Sequence, residues 1–128
     1  MRTIYLLTLF FSLLLSTSSS WALGLGEITV TSKLGEKFNA SVPITDSTTL
    51  NIDQIIAKNA PSEIYQQLQI DNSFTYQSFK LVVSKQGEEL ILTISTKDPI
   101  KEPYLNFVLQ LKWPEGQLNK EYKVLIDP

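Results

Sequence analysis

The sequence predicts an all-β fold, an antiparallel sandwich of about six strands with a short helical insertion. Three observations carry that prediction. Apolar residues recur with a period of two in six separate stretches, the spacing that puts one face of a strand on a core. Turns bearing glycine or proline stand between several of those stretches, and 43% hydrophobic, 10% aromatic and 19% charged residues over 128 positions describe one ordinary globular domain.

Taken in order, Ile28 and Val30 alternate with Thr29 and Thr31, and Phe38, Ala40 and Val42 alternate with Lys37, Asn39 and Ser41. Phe79, Leu81 and Val83 form a third apolar row, and Leu90, Leu92 and Ile94 a fourth. Leu105, Phe107, Leu109, Leu111 and Trp113 make the fifth, and Tyr122, Val124 and Ile126 the last. Lys33-Leu34-Gly35-Glu36 and Lys85-Gln86-Gly87-Glu88 each supply a glycine for a positive φ, and Trp113-Pro114-Glu115-Gly116 has the Pro and Gly spacing of a type I turn. Antiparallel hairpins follow.

The 36 residues from Pro43 to Ser78 are too many for a structureless loop. Two short helices are expected there. Asn51 with Gln54 three residues on resembles a capping box, with Ile52, Ile55 and Ile56 on one helical face. Pro61 suits a first helical turn ahead of Ile64, Tyr65 and Leu68, and Asn59-Ala60-Pro61 should separate the two helices.

Ahead of the domain, Arg2 precedes the apolar run Ile4–Leu15, and small residues Ser16–Ser20 lead to Trp21-Ala22. The run is shorter than the roughly 20 residues needed to cross a bilayer, and Ser20-Trp21-Ala22 fits a small-x-small cleavage pattern. Residues 1–22 are therefore read as a signal peptide, rather than an uncleaved anchor, and residues 23–128 as the mature, exported domain. Removing 22 residues from 128 leaves 106, with 10 basic and 13 acidic side chains. Without cysteine, an exported domain of this size must rest on its apolar core alone.

The composition also restricts the chemistry. The chain has no His and no Cys, so Ser-His-Asp and Cys-His nucleophile systems, Cys/His zinc sites and disulfides are excluded. A formal charge of −2 and no basic run provide nothing to neutralise phosphates, which excludes nucleic acid as a partner. Carboxylates cluster at Glu88-Glu89 and around Asp98 and Glu102, where hairpin solubility explains them better than acid-base catalysis does. The aspartates are too scattered for a calcium loop. No catalytic residue, metal ligand or cofactor is expected, and Asn39-Ala40-Ser41 is left without a role although it matches a glycosylation sequon.

Binding is the remaining class. Val82, Ile91, Val108 and Leu125 are apolar on the nominally outer strand faces, so the helical insertion or a partner should cover them. Strand Lys37–Val42 carries Lys37, Asn39 and Ser41 and ends at Pro43, features that blunt an edge strand, and it is expected to be an edge open to an extended partner. Trp113 and Tyr122 are expected to pack in the core or at its rim. Tyr104, Tyr65 and Tyr76 remain candidates for a carbohydrate platform.

Several segments together are similar to one known domain. These are Leu23-Gly24-Leu25-Gly26-Glu27-Ile28, Leu34-Gly35-Glu36, Pro99-Ile100-Lys101-Glu102-Pro103-Tyr104-Leu105-Asn106-Phe107, and Trp113-Pro114-Glu115-Gly116 with Leu118, Glu121-Tyr122 and Val124-Leu125-Ile126-Asp127-Pro128. In order and spacing they resemble the N-terminal periplasmic domain of the FimV family, pilus-assembly and polar hub proteins of Gram-negative bacteria. Between Thr45 and Ser78 the likeness is one of helical character alone.

The resemblance implies a non-catalytic domain that takes part in type IV pilus assembly, twitching motility and polar organisation, with envelope proteins of that machinery as partners. Family members typically continue into a peptidoglycan-binding LysM module, a transmembrane helix and an acidic cytoplasmic region. None of these is present in the sequence, so their roles are not carried over, and no membrane association is expected after cleavage. The expectation is an immunoglobulin-like sandwich that binds protein, with a cell-wall or carbohydrate-binding module as the alternative.

Overall fold

The computed structural model describes residue 3 and residues 23–47, 50–71 and 79–128. The expected leader, Tyr76 and part of the insertion lie outside these, apart from Thr3. Among the described residues there are eight strands in two antiparallel sheets. In the first sheet, β1 (Gly24–Leu25) and β2 (Thr29–Val30) both pair with β3 (Lys37–Thr45), which pairs with β6 (Glu89–Pro99), which pairs with β5 (Lys80–Gln86). In the second, β7 (Tyr104–Trp113) lies between β4 (Ile56–Asn59) and β8 (Gly116–Leu125).

Five of the six expected apolar rows become the inner face of a strand, and the first, Ile28 and Val30, is half-buried with only Val30 in a strand, β2. Phe38, Ala40, Val42 and Ile44 of β3 and Leu90, Leu92 and Ile94 of β6 face Leu105, Phe107, Leu109 and Leu111 of β7 and Tyr122 and Val124 of β8, all buried. At the centre, Phe79 stacks on Phe38 with ring centroids 5.8 Å apart and meets Phe107 edge-on at 5.0 Å, while Phe107 lies 5.9 Å from Tyr122. These contacts run from the first sheet through the second, and offset or edge-on geometry is the one the ring quadrupoles favour.

The turns follow the glycines and proline. Gly35 and Gly87 have φ of +88° and +64°, where any Cβ is strained. Gly87-Glu88 links Gln86 to Glu89, and only the first loop residue has positive φ, the II′ pattern. Pro114-Glu115 closes the β7–β8 hairpin between Trp113 and Gly116. Neither has positive φ, which excludes type I′ and agrees with the type I turn that proline favours.

Three expectations need correction. The helix expected from Asn51 is one 3₁₀ turn, Ile52–Gln54, after which Ile56 enters β4. The capping bond is present, Asn51 N–H donating to Gln54 Oε1 at 3.1 Å. A single turn, however, has too little cooperative stabilisation to hold β-branched Ile55 and Ile56 when a place beside β7 is open to them. The second helix, α1 (Ser62–Gln67), forms as expected behind Pro61.

Strand β3 is not an edge, because β1 and β2 pair along one side of it and β6 along the other. Its polar residues and Pro43 sit on the outer face of an interior strand. Finally, Val108 is fully buried although its side chain is on the outer face of β7. Buried Tyr65 of α1 is bonded to its backbone: the Tyr65 hydroxyl accepts the Val108 N–H at 2.9 Å and donates to Asn59 Oδ1, while Ala60 N–H donates to Val108 O at 2.9 Å. The helix thus caps the β4–β7 ladder where the chain leaves it at Pro61.

One buried hydroxyl repairs an irregularity in the first sheet. The β3–β6 register shifts between Lys37 and Asn39, and there Thr96 Oγ1 accepts the Phe38 N–H at 2.9 Å and donates to Asp98 O at 2.8 Å. Thr96→Val keeps the shape and leaves the Phe38 N–H without its partner, so chemical denaturation should report a loss of about 1–3 kcal/mol. A change below about 0.5 kcal/mol would mean that the hydroxyl is not needed there.

Candidate interaction surface

The eight residues expected to lie on a binding surface separate into three groups. Val82, Ile91, Asn39 and Ser41 come together on the outer face of the first sheet, where Ser41 pairs with Thr93 and Thr93 with Val82, and Ile91 lies between Pro43 and Ser84. Lys37 lies at the end of that face, beside the register shift. The face is flat and mainly hydroxylated, with Val82 (44% exposed) its most exposed large apolar side chain and Ile91 half-buried. Val108 is fully buried, with its N–H bonded to the Tyr65 hydroxyl. Tyr104 and Leu125 form the third group. They are direct cross-strand partners on the outer face of the second sheet, 47% and 78% exposed.

The two sides of the sandwich differ. On one, β4 packs beside β5. On the other, β2 and β8 bound an open groove of ≈ 310 Å³ lined by Ile28, Val30 and Ser32 from one sheet and Lys123, Val124, Leu125 and Asp127 from the other. Its two ends are tied. At one, Lys120 Nζ donates to Leu25 O at 2.7 Å, and the Tyr122 hydroxyl donates to Gly26 O at 2.9 Å. At the other, Leu34 N–H donates to Asp127 O at 2.8 Å. Gly26 is required at the first tie, since a Cβ there would meet Pro43 Cγ at 2.7 Å.

The backbone of β8 is polarised by its register. Ile126 N–H donates to Pro103 O at 2.7 Å, so the even-numbered residues direct their amides at β7. The odd-numbered residues Gln117, Asn119, Glu121, Lys123 and Leu125 then direct N–H and C=O away from the sheet, as the Asp127 carbonyl bonded to Leu34 also does. Among the described residues no strand pairs with that edge. The pattern of residue types missed it. Lys and Pro mark β3 as the edge, whereas the interior place of β3 depends on β1, two residues with no periodic signal, and on β2, whose alternation does not reveal which strand it pairs with. The usable clue was the alternation of Leu118, Lys120 and Tyr122 ahead of Val124, which extends the last strand back to the turn.

Chemically the surface offers backbone hydrogen bonds, hydroxyls and isolated apolar side chains. No cluster of three or more acidic side chains able to hold a metal occurs among the described residues, and no helix there is long and apolar enough to cross a membrane. Trp113 is half-buried at the β7–β8 turn, and Tyr65 is buried, which removes it from any carbohydrate platform.

Burial pushes the Tyr122 phenol well above the ordinary phenol range. Folding therefore favours its neutral form, and its contribution to stability is complete below about pH 10 and lost as the pH rises above that value. In Tyr122→Phe the phenol and its bond to Gly26 are gone. Denaturation midpoints between about pH 9 and 11 should fall less steeply in this variant than in the parent chain, and equal slopes would show that Tyr122 is not the group responsible.

Comparison with known proteins gives one family. The model of the FimV N-terminal Ig-like domain matches residues 23–128. The motility hub protein FimV of Pseudomonas aeruginosa strain PAO1 is 36% identical over 116 residues, covering 89% of this chain and 12% of the relative, and the FimV of strain UCBPP-PA14 aligns identically. The chain thus spans about an eighth of the length of these relatives. No solved structure matches it. With the family match running the length of the sandwich, the chain belongs to the FimV N-terminal Ig-like domain family.

Proposed function

We propose that this chain is a non-catalytic protein-interaction domain of the cell envelope, exported by residues 1–22, and that it serves type IV pilus assembly, twitching motility or polar organisation. The observation that carries this reading is the 36% identity, across nearly the whole domain, to proteins named motility hub. The family match begins at Leu23, directly after the expected cleavage site, which supports a leader separate from the domain and hence a periplasmic location. The surface is consistent with docking: it presents a long unpaired strand edge and the exposed Tyr104–Leu125 pair. Seven of the eight residues named from the sequence enter the proposal as two surfaces, the face around Val82 and Ile91 and the Tyr104–Leu125 pair, and buried Val108 belongs to neither.

Deleting the coding sequence in its host should reduce twitching, and complementation should restore it when the chain reaches the periplasm but not when residues 1–22 are removed. Crosslinking in the envelope should recover pilus or polar proteins. Unchanged twitching with no envelope protein recovered above background would contradict the proposal. Sedimentation with purified peptidoglycan that is lost in Tyr104→Ala would favour the wall-binding alternative instead.

A further inference from the structure

We infer that the outer edge of β8 is a self-association surface, on which a second copy of this chain pairs antiparallel through Asn119–Leu125. The inference stands apart from the motility reading and rests on a comparison of the four sheet edges. The β1–β2 edge is broken into two strands of two residues with Gly26–Ile28 between them. Strand β5 is seven residues long and is flanked by β4. Strand β4 is four residues long and stops ahead of Ala60-Pro61. Each of these is blunted by shortness, interruption, a following proline or a neighbouring strand. Strand β8 is ten residues long, contains no proline, and keeps one unbroken register with β7 from Gly116 to Leu125. A long regular edge with unpaired N–H and C=O groups is a template for another strand.

The side chains select the occupant. A second copy of β8 can satisfy this edge only in registers that place odd-numbered residues opposite odd-numbered residues. In the register centred on Tyr122, Glu121 lies opposite Lys123 of the second copy and Lys123 opposite its Glu121, so that two opposite-charge pairs flank the two-fold axis. Asn119 then lies opposite Leu125 of the second copy, and exposed Leu125 gains a neighbour. Sliding the copies by two residues in one direction puts Lys123 on Lys123, and in the other Glu121 on Glu121. Like charges directly opposite are destabilising, so one register is selected. Within one chain, Glu121 and Lys123 are already close, 3.9 Å apart and exposed, a weak pair that can exchange for the cross-copy one. Lys120, the charged residue on the inner row, is held by the Leu25 carbonyl and is not left to oppose the approach. The outcome is an isologous dimer in which the second sheets of two molecules become continuous.

Sedimentation of the purified chain over a hundredfold concentration range up to about 1 mM tests this. Reversible dimerisation is expected. Lys123→Glu and Glu121→Lys should each weaken it about tenfold or more, and the double swap should recover the parent value within about threefold. Lys123→Pro removes an outward N–H and not a β7 ladder bond, so it should abolish the dimer while leaving circular dichroism and melting close to those of the parent. A monomer throughout overturns the inference, including one whose Lys123 and Leu125 amides become protected only on adding another envelope protein. A dimer indifferent to both charge reversals, or one that the double swap fails to restore, overturns it as well.

Discussion

The contact between the inner faces of the two sheets, concentrated in the rings of Phe38, Phe79, Phe107 and Tyr122, is the constraint on which the rest of the structure depends. The chain has no cysteine, so no disulfide fixes the sheets to each other. Nearly every large side chain at the centre is apolar and fully buried, and burial of that kind is the main favourable term available to a domain of this size. The rings add direction. Their stacked and edge-on contacts favour one offset between the layers, where aliphatic side chains alone would tolerate several. The peripheral ties presuppose that offset. Lys120 and Tyr122 reach Leu25 and Gly26, and Leu34 reaches Asp127, only when the sheets are already in place.

Most of this architecture was legible because a strand with one buried face writes a period of two into the sequence. Five of the six apolar rows became inner faces of strands, and the glycines of two turns took the positive φ values their positions implied. The failures have a common physical origin. Segments of two to four residues, such as β1 and β4, exist through hydrogen bonds to neighbours distant in sequence, and they are too short for a periodic pattern to register. Asn51–Ile56 carries a sound helix start, yet the pairing of Ile56 with Lys112 prevailed over a local preference worth a fraction of a kcal/mol per residue. Lateral position in a sheet leaves still less trace. Lys37, Asn39 and Pro43 look like edge residues because they are polar or cannot donate, and both properties suit an outward-facing position on an interior strand equally well.

The surface follows from the same distinction between face and edge. Outer apolar residues meet different fates: Val108, whose backbone is bonded to the α1 residue Tyr65, is fully buried, while Leu125, on the next strand, stays exposed. Among the described residues, β4 and β5 close one side of the sandwich, whereas an open groove and the unpaired edge of β8 lie on the other.

The claim that the aromatic interlock holds the sheets together is tested most directly by Phe107→Ala. Phe107 is fully buried and contacts Phe38, Phe79 and Tyr122, so its truncation should destabilise the chain by about 3–5 kcal/mol in equilibrium unfolding, with one cooperative transition for the whole domain. A loss below about 1 kcal/mol, or separate transitions for the two sheets, would contradict the account.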